Sequence, residues 1–404
     1  MIEVLGLIGL AAALYGFFCL VGAAVATLVL PAGHETRLAW SLPLGIAAVV
    51  APLASLAVVV PAGTAGPLLL VVAALAAGAV LLAVRRRLTR AGLRELAWSA
   101  AAGGPAMLVV LIPFVVRGGA GPLDMSAHDS WFWYIPMAHF LQDHTTGQAL
   151  AAGAWPPTEQ VSSLLPIGVR VGFDALDAGV ASLLGVTPDR TLVPLLIVVL
   201  GACGASAYAV ALEALRGRRA WAMLAAFVLA ISPLVLPFLE SSGPSLVAYC
   251  LLPAATWLAW RAVAEASVRF AAASGLLTSA LVVAYTEVLP AYLLQMAMIV
   301  GAAGLLALLT GRPRWPALGR VARSVAVIAV VAVACSPLAM GRAYDYVDYT
   351  RSRASQGQIL GPDWGLRLDS YGPLALGSET LFEIRRFPFL SDTKVVLAYV
   401  LAGL

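Results

Sequence analysis

Apolar runs of roughly 18 to 25 residues, the length a helix needs to cross a bilayer, recur from end to end of this chain between short polar breaks. The pattern predicts ten spans, at 4–30, 39–60, 67–84, 99–116, 191–212, 221–239, 245–262, 270–286, 289–310 and 322–340. A further run begins at Lys394 and stops at Leu404, too short to span, so the sequence reads as C-terminally incomplete. The first long polar interruption runs from Asp124 to His144. It holds Asp124, Asp129 and Asp143, three histidines (His128, His139 and His144) and the aromatic run Trp131, Phe132, Trp133, Tyr134. The expected fold class is an all-α polytopic membrane protein.

Composition agrees. Of 404 residues, 61% are hydrophobic and 11% charged, against about 25% charged in soluble domains. The net charge of +4 is therefore no nucleic-acid signal, because basic residues in such a chain set its orientation from cytoplasmic loops. Cys19, Cys203, Cys250 and Cys335 all fall inside apolar runs, which indicates neither a disulfide framework nor a zinc site. The first run is too long for a signal-peptide core and lacks a basic leader, so it reads as a retained helix.

Charge then gives a topology. Arg85, Arg86, Arg87, Arg90 and Arg94 form a strongly basic connection and are expected in the cytoplasm. Three spans precede them, which puts the N-terminus and the Asp124 stretch outside. Residues 161–185 are apolar, but Arg170, Asp174 and Asp177 interrupt them, and a charge at mid-membrane costs about 2.5–3.5 kcal/mol. Reading this segment as an interfacial or re-entrant helix places Arg216, Arg218 and Arg219, then Arg261 and Arg269, then Arg312, Arg314, Arg320 and Arg323 on the cytoplasmic side. Most acids then fall outside; Glu35, Glu95, Glu213 and Glu265 fall inside. A three-helix segment, 1–98, precedes a core, 99–404, with long extracytoplasmic loops at 117–190 and 341–392.

Candidate chemistry belongs on that outer face. Asp129, followed by an aromatic cluster, sits at interfacial depth at the start of an amphipathic helix. There a carboxylate can deprotonate an acceptor hydroxyl or hold a divalent metal (Mg or Mn) against a phosphate; the plainer alternative is a helix cap. Asp124 is a second acid in the same loop, or a turn residue after Gly121-Pro122. His128 and His139 do not have a recognised metal-ligand spacing. Glu287 lies between two apolar runs with almost no loop, where an acid is costly unless it pairs or faces a cavity. Glu240 occupies a similar turn. His128, Tyr134 and Glu240 are substrate-binding candidates, and Arg342, Arg351 and Arg353, among tyrosines, suit an anionic head group, as guanidinium forks suit phosphate.

The layout resembles the GT-C class of polytopic membrane glycosyltransferases. In that class a long first extracytoplasmic loop carries a catalytic acid, and interfacial helices follow. Asp129-Ser130-Trp131-Phe132-Trp133-Tyr134 and the helix after it look like that loop. Leu165-Pro166-Ile167-Gly168 through Phe173-Asp174 is similar to a Tyr-Pro-x-Gly-x-His-like stretch of actinobacterial GT-C-like membrane proteins, with Leu165 and Asp174 where an aromatic and a histidine stand. The resemblance implies a multi-pass plasma-membrane enzyme. It would move a sugar from a polyprenyl-phosphate donor to a glycan, lipid or protein acceptor of the cell envelope. Asp129, Asp124 and Glu287 would be its acids and a divalent metal its cofactor. The competing classes are a transporter or lipid-linked glycan flippase, which would carry charges at the midplane, and a non-catalytic GT-C-like protein.

Overall fold

The structure, a computed structural model, describes residues 2–31, 34, 36–85, 88–117, 134–148, 161, 165, 168–231, 243–309 and 314–355. It is helical almost throughout, with no strand among the described residues. The long helices are α1 (Ile2–Val29), α2 (Ser41–Leu56), α3 (Ala62–Ala83) and α4 (Arg90–Arg117). Two short helices follow, α5 (Ile135–Asp143) and α6 (Gly172–Leu184). Then come α7 (Pro188–Ala214), α8 (Arg219–Ile231), α9 (Gly243–Glu265), α10 (Val268–Ala284), α11 (Leu289–Leu309), α12 (Arg314–Cys335) and α13 (Pro337–Ser355).

Seven of these helices, α1 to α4, α7, α9 and α11, are long and apolar enough to cross a membrane; the bent pair α12–α13 makes an eighth if counted as one span. The expected count of ten is not confirmed among the described residues. Predicted spans 221–239 and 270–286 meet α8 and α10, described over 13 and 17 residues, and the residues that follow α8 lie outside the described ones. The interior helices are α2 and α7, while α3 and α11 bury only 22% and 17% of their most apolar stretch. That difference fits helices whose outer faces meet lipid.

Small residues set the close crossings. A Cβ on Gly22 of α1 would stand 1.6 Å from the Ser41 carbonyl oxygen of α2. A Cβ on Gly66 of α3 would stand 2.3 Å from the Gly179 Cα of α6. Without a hydrophobic drive between helices in lipid, such close backbone packing is a main source of association.

The bundle has two chemically different ends. At the basic end two acids tie the helices together. Glu213 accepts from His34 Nε2 (2.7 Å), Thr36 Oγ1 (3.0 Å), Trp40 Nε1 (2.8 Å) and Trp257 Nε1 (2.8 Å), and pairs with Arg261. Glu95 accepts from Tyr208 (3.1 Å) and pairs with Arg219.

At the far end two helices lie across the bundle rather than through it. Gly172, at the start of α6, backs onto Val283 and Ala284 at the end of α10. Ser182, near the other end of α6, accepts from Gln142 of α5 at 3.1 Å and lies beside Gly63 in the first turn of α3. Both ends of α6 therefore sit at one end of the bundle, as expected for 161–185. Gly185, with φ +65°, ends α6, and the Val186 amide returns to Ala181 O at 3.0 Å in a Schellman closure. At Ser336–Pro337 the chain turns by 105° into α13. The first amides of α13, Leu338 and Ala339, donate to Ser55 Oγ of α2 at 3.1 and 3.2 Å. This long-range cap satisfies groups a helix start leaves open.

Gly66→Ala will lower the melting temperature of the purified protein in detergent, because its Cβ meets backbone that cannot move aside. Gly78→Ala, on the same helix with nothing within 4 Å, will leave it unchanged or raise it, since alanine is about 0.5–1 kcal/mol better than glycine inside a helix. Equal shifts for the two variants would refute the crossing.

Candidate functional site

Four stretches distant in sequence meet at the far end. The turn Thr286–Val288 between α10 and α11 presents Glu287. The segment ahead of α6 brings Arg170, α6 itself brings Asp174, and α13 brings Arg342 and Tyr346. Tyr134, buried at the start of α5, lies close enough to Arg170 to act on it electrostatically.

Gly168 makes the approach possible. Its φ is +78°, and a Cβ there would stand 2.4 Å from Arg342 O and 2.9 Å from Tyr346 N. Glycine adopts that φ without a steric penalty, so the segment lies flush on α13. Arg342 Nη2 then donates to Leu165 O at 2.8 Å.

Arg170, whose side chain is 14% exposed, pairs through Nη1 with Glu287 Oε1. Its guanidinium lies 4.7 Å from the centre of the Tyr285 ring, a cation–π arrangement. Glu287 Oε1 also accepts from Tyr346 OH at 3.1 Å. Glu287 Oε2, Arg170 Nε, Arg342 Nε and Asp174 Oδ1 are all buried without a hydrogen-bond partner. Unsatisfied buried groups are few in native proteins and cost about 1–3 kcal/mol each. Four in one cluster mark a place whose polar atoms are made for something other than each other. At the basic end, in contrast, both oxygens of Glu95 and both of Glu213 are bonded.

Asp174 and Asp177, one turn apart on α6, are 4% and 1% exposed. Burial pushes the Asp174 carboxyl up to about 7, with the Arg170 charge beside it pulling the other way. Burial also raises Asp177 well above the carboxylate range, opposed by the Thr191 hydroxyl, which donates to Oδ1 at 2.5 Å. Asp174 thus titrates near neutrality next to a buried guanidinium, as an acid–base group requires.

Of the residues expected from sequence, Glu287, Arg342 and Tyr134 belong to this cluster. Arg351 is exposed on α13, nine residues beyond Arg342 and so on the opposite face of the helix. Arg353 is about 16 Å along α13 from Arg342, and its side chain is outside the described residues. Asp124, His128, Asp129 and Glu240 also lie outside the described residues. Arg170, Asp174 and Tyr346 were not expected as site residues. The available signal was two costly charges, Arg170 and Glu287, at one predicted depth, where charges pair. Among the described residues no three His, Cys, Asp or Glu side chains gather as a metal site. A cleft of about 300 Å³ lies elsewhere, lined by Thr256, Trp257, Trp260 and Gln295 of α9 and α11.

The Asp174 carboxyl has a folded-state pKa above its unfolded value, so the neutral form stabilises the fold. That contribution is present below about pH 4 and is lost as pH rises towards 7. Melting temperature will therefore fall between about pH 4 and 7, and Asp174→Asn, which keeps the neutral shape, will fall less steeply. An identical slope in the variant would refute the assignment.

No family model matches the chain, and no curated protein or solved structure matches it.

Proposed function

We propose that this protein is an integral-membrane glycosyltransferase of the GT-C kind. It takes a sugar from a polyprenyl-phosphate donor at the extracytoplasmic surface of the plasma membrane and transfers it to a cell-envelope glycan, lipid or protein. The observation that carries the reading is the convergence of Arg170, Asp174, Glu287, Arg342 and Tyr346 at one end of an apolar bundle, with buried polar atoms left open.

Location and chemistry fit together. The prenyl chain of such a donor stays in the bilayer and its phosphate stays at the interface, so catalytic groups must be at a bundle end. Arg342 spends Nη2 on a carbonyl and retains donors for a phosphate, to which guanidinium is well matched. In transfer, the acceptor hydroxyl oxygen bonds to the anomeric carbon. The bond from that carbon to the phosphate oxygen breaks, the hydroxyl proton passes to a carboxylate, and polyprenyl phosphate leaves as an anion stabilised by Arg342.

Asp129 is the proposed base. It lies five residues before Tyr134, so the chain tethers it within about 17 Å of the cluster. Glu287, already held by Arg170 and Tyr346, serves to fix Arg170. Asp174 is the carboxyl able to exchange a proton near neutral pH. The divalent metal expected at Asp129 has no ligand group among the described residues, and no step of this scheme runs through it.

Purified protein in nanodiscs, given a panel of radiolabelled polyprenyl-phosphate pentoses and hexoses, will release polyprenyl phosphate. Asp129→Asn will lower turnover about 100-fold or more, the range for loss of a general base. Arg342→Gln will chiefly raise KM for the donor. No release from any donor in the panel, or unchanged turnover in Asp129→Asn, would overturn the reading.

A further inference from the structure

The basic end carries a second feature, independent of the far-end cluster. The start of α10 and the first half of α12 enclose a notch lined by Ala266, Val268, Ala271, Arg320, Arg323 and Ser324. We propose that this notch is a binding site for the phosphate head group of an anionic membrane lipid.

The chemistry of the lining points there. Arg320 and Arg323 are three residues apart on α12, so their side chains leave the same side of the helix. Both are exposed. Opposite them is the first turn of α10, whose cap Ser267 accepts from the Phe270 amide at 3.4 Å. The remaining first-turn amides of a helix carry partial positive charge and favour an anion. Ser324 is buried and donates to Ala262 O at 3.2 Å, which joins the wall to α9. No acidic residue lines the notch.

Size and surroundings select the source of the phosphate. The notch holds about 20 Å³, and one water-sized group takes about 10–15 Å³. It therefore admits one or two phosphate oxygens and leaves the rest of a head group outside. Val327 also lines it, on the side running into the apolar length of α12, and Val268 is 41% exposed at its rim. A free phosphate has no use for that apolar side; a lipid lays its glycerol and first methylenes there. Arg216, Arg218 and Arg269, also at this end, add a positive field that draws anionic lipid to the surface.

The test compares three proteins in nanodiscs of mixed phosphatidylglycerol and phosphatidylcholine. They are the native chain, the double variant Arg320→Gln/Arg323→Gln, and Arg216→Gln/Arg218→Gln, which removes equal charge from an exposed loop of the same end. Native mass spectrometry after detergent release reads the lipids that stay bound, and melting temperature confirms that each variant is folded. The native chain and the loop variant will retain phosphatidylglycerol over phosphatidylcholine. The notch variant will lose that preference about tenfold or more, as expected for the loss of charge-assisted guanidinium–phosphate hydrogen bonds. Equal retention by notch and loop variants would overturn the site. Displacement of phosphatidylglycerol by millimolar inorganic phosphate would overturn the choice of a lipid. If the double variant does not fold, Arg323→Lys, which keeps the charge, and Arg323→Gln are compared instead, and equal retention by these two overturns the proposal. None of these results depends on glycosyl transfer.

Discussion

Exclusion of ionised groups from the apolar belt governs this structure. A charge at mid-membrane is costly, and every buried backbone or side-chain polar atom there needs an internal partner. Among the described residues the charged side chains accordingly lie at the ends of the long helices: Arg94, Glu95, Glu213, Arg219 and Arg261 at one end, Arg170, Glu287 and Arg342 at the other. Between them the bundle closes through small residues such as Gly22 and Gly66, which let backbones touch. The ends therefore take all the electrostatic work, and they divide it differently. The basic end spends its acids on holding helices together, while the far end leaves polar atoms open.

The Arg170–Glu287 pair is what gives the far end its shape. Arg170 stands directly before α6, and Glu287 stands in the turn before α11. Their pairing fixes the start of a helix that lies across the bundle, and Gly168 lets the same segment press onto α13. Breaking this partly buried pair leaves each charge without its partner. The same pair therefore fixes both the fold and the position of Asp174, four residues beyond Arg170. Architecture and candidate chemistry are not separable here.

Much of this was legible in the sequence, for a physical reason. Long apolar runs have one stable form in lipid, so α1, α4, α7 and α9 follow from length and hydropathy alone. The insertion cost of Arg170, Asp174 and Asp177 likewise marked 161–185 as a segment that does not cross. Less legible was the 105° turn at Ser336–Pro337 inside a predicted span. Least legible was the cluster itself. Arg170 and Glu287 are 117 residues apart, and no local pattern links them. The charges used to reject a span were also charges that needed partners at that depth, and that second consequence leads to the pair.

The same exclusion bears on the choice between a transporter and an interfacial enzyme. A coupled transporter needs ionisable or broken-helix sites near the midplane, reachable in turn from each side. Inside the spans the described polar side chains are neutral and mostly bonded locally. Ser274 donates to Ala255 O at 2.8 Å, and Thr256 pairs with Gln295. Among the described residues the titratable groups with open buried atoms are two arginines, Arg170 and Arg342, and three carboxyls, Asp174, Asp177 and Glu287, all at the far end. Under the proposed reading these groups would meet an amphiphile held in the membrane, with its tail along the bundle and its reactive bond at the Arg170–Glu287 end.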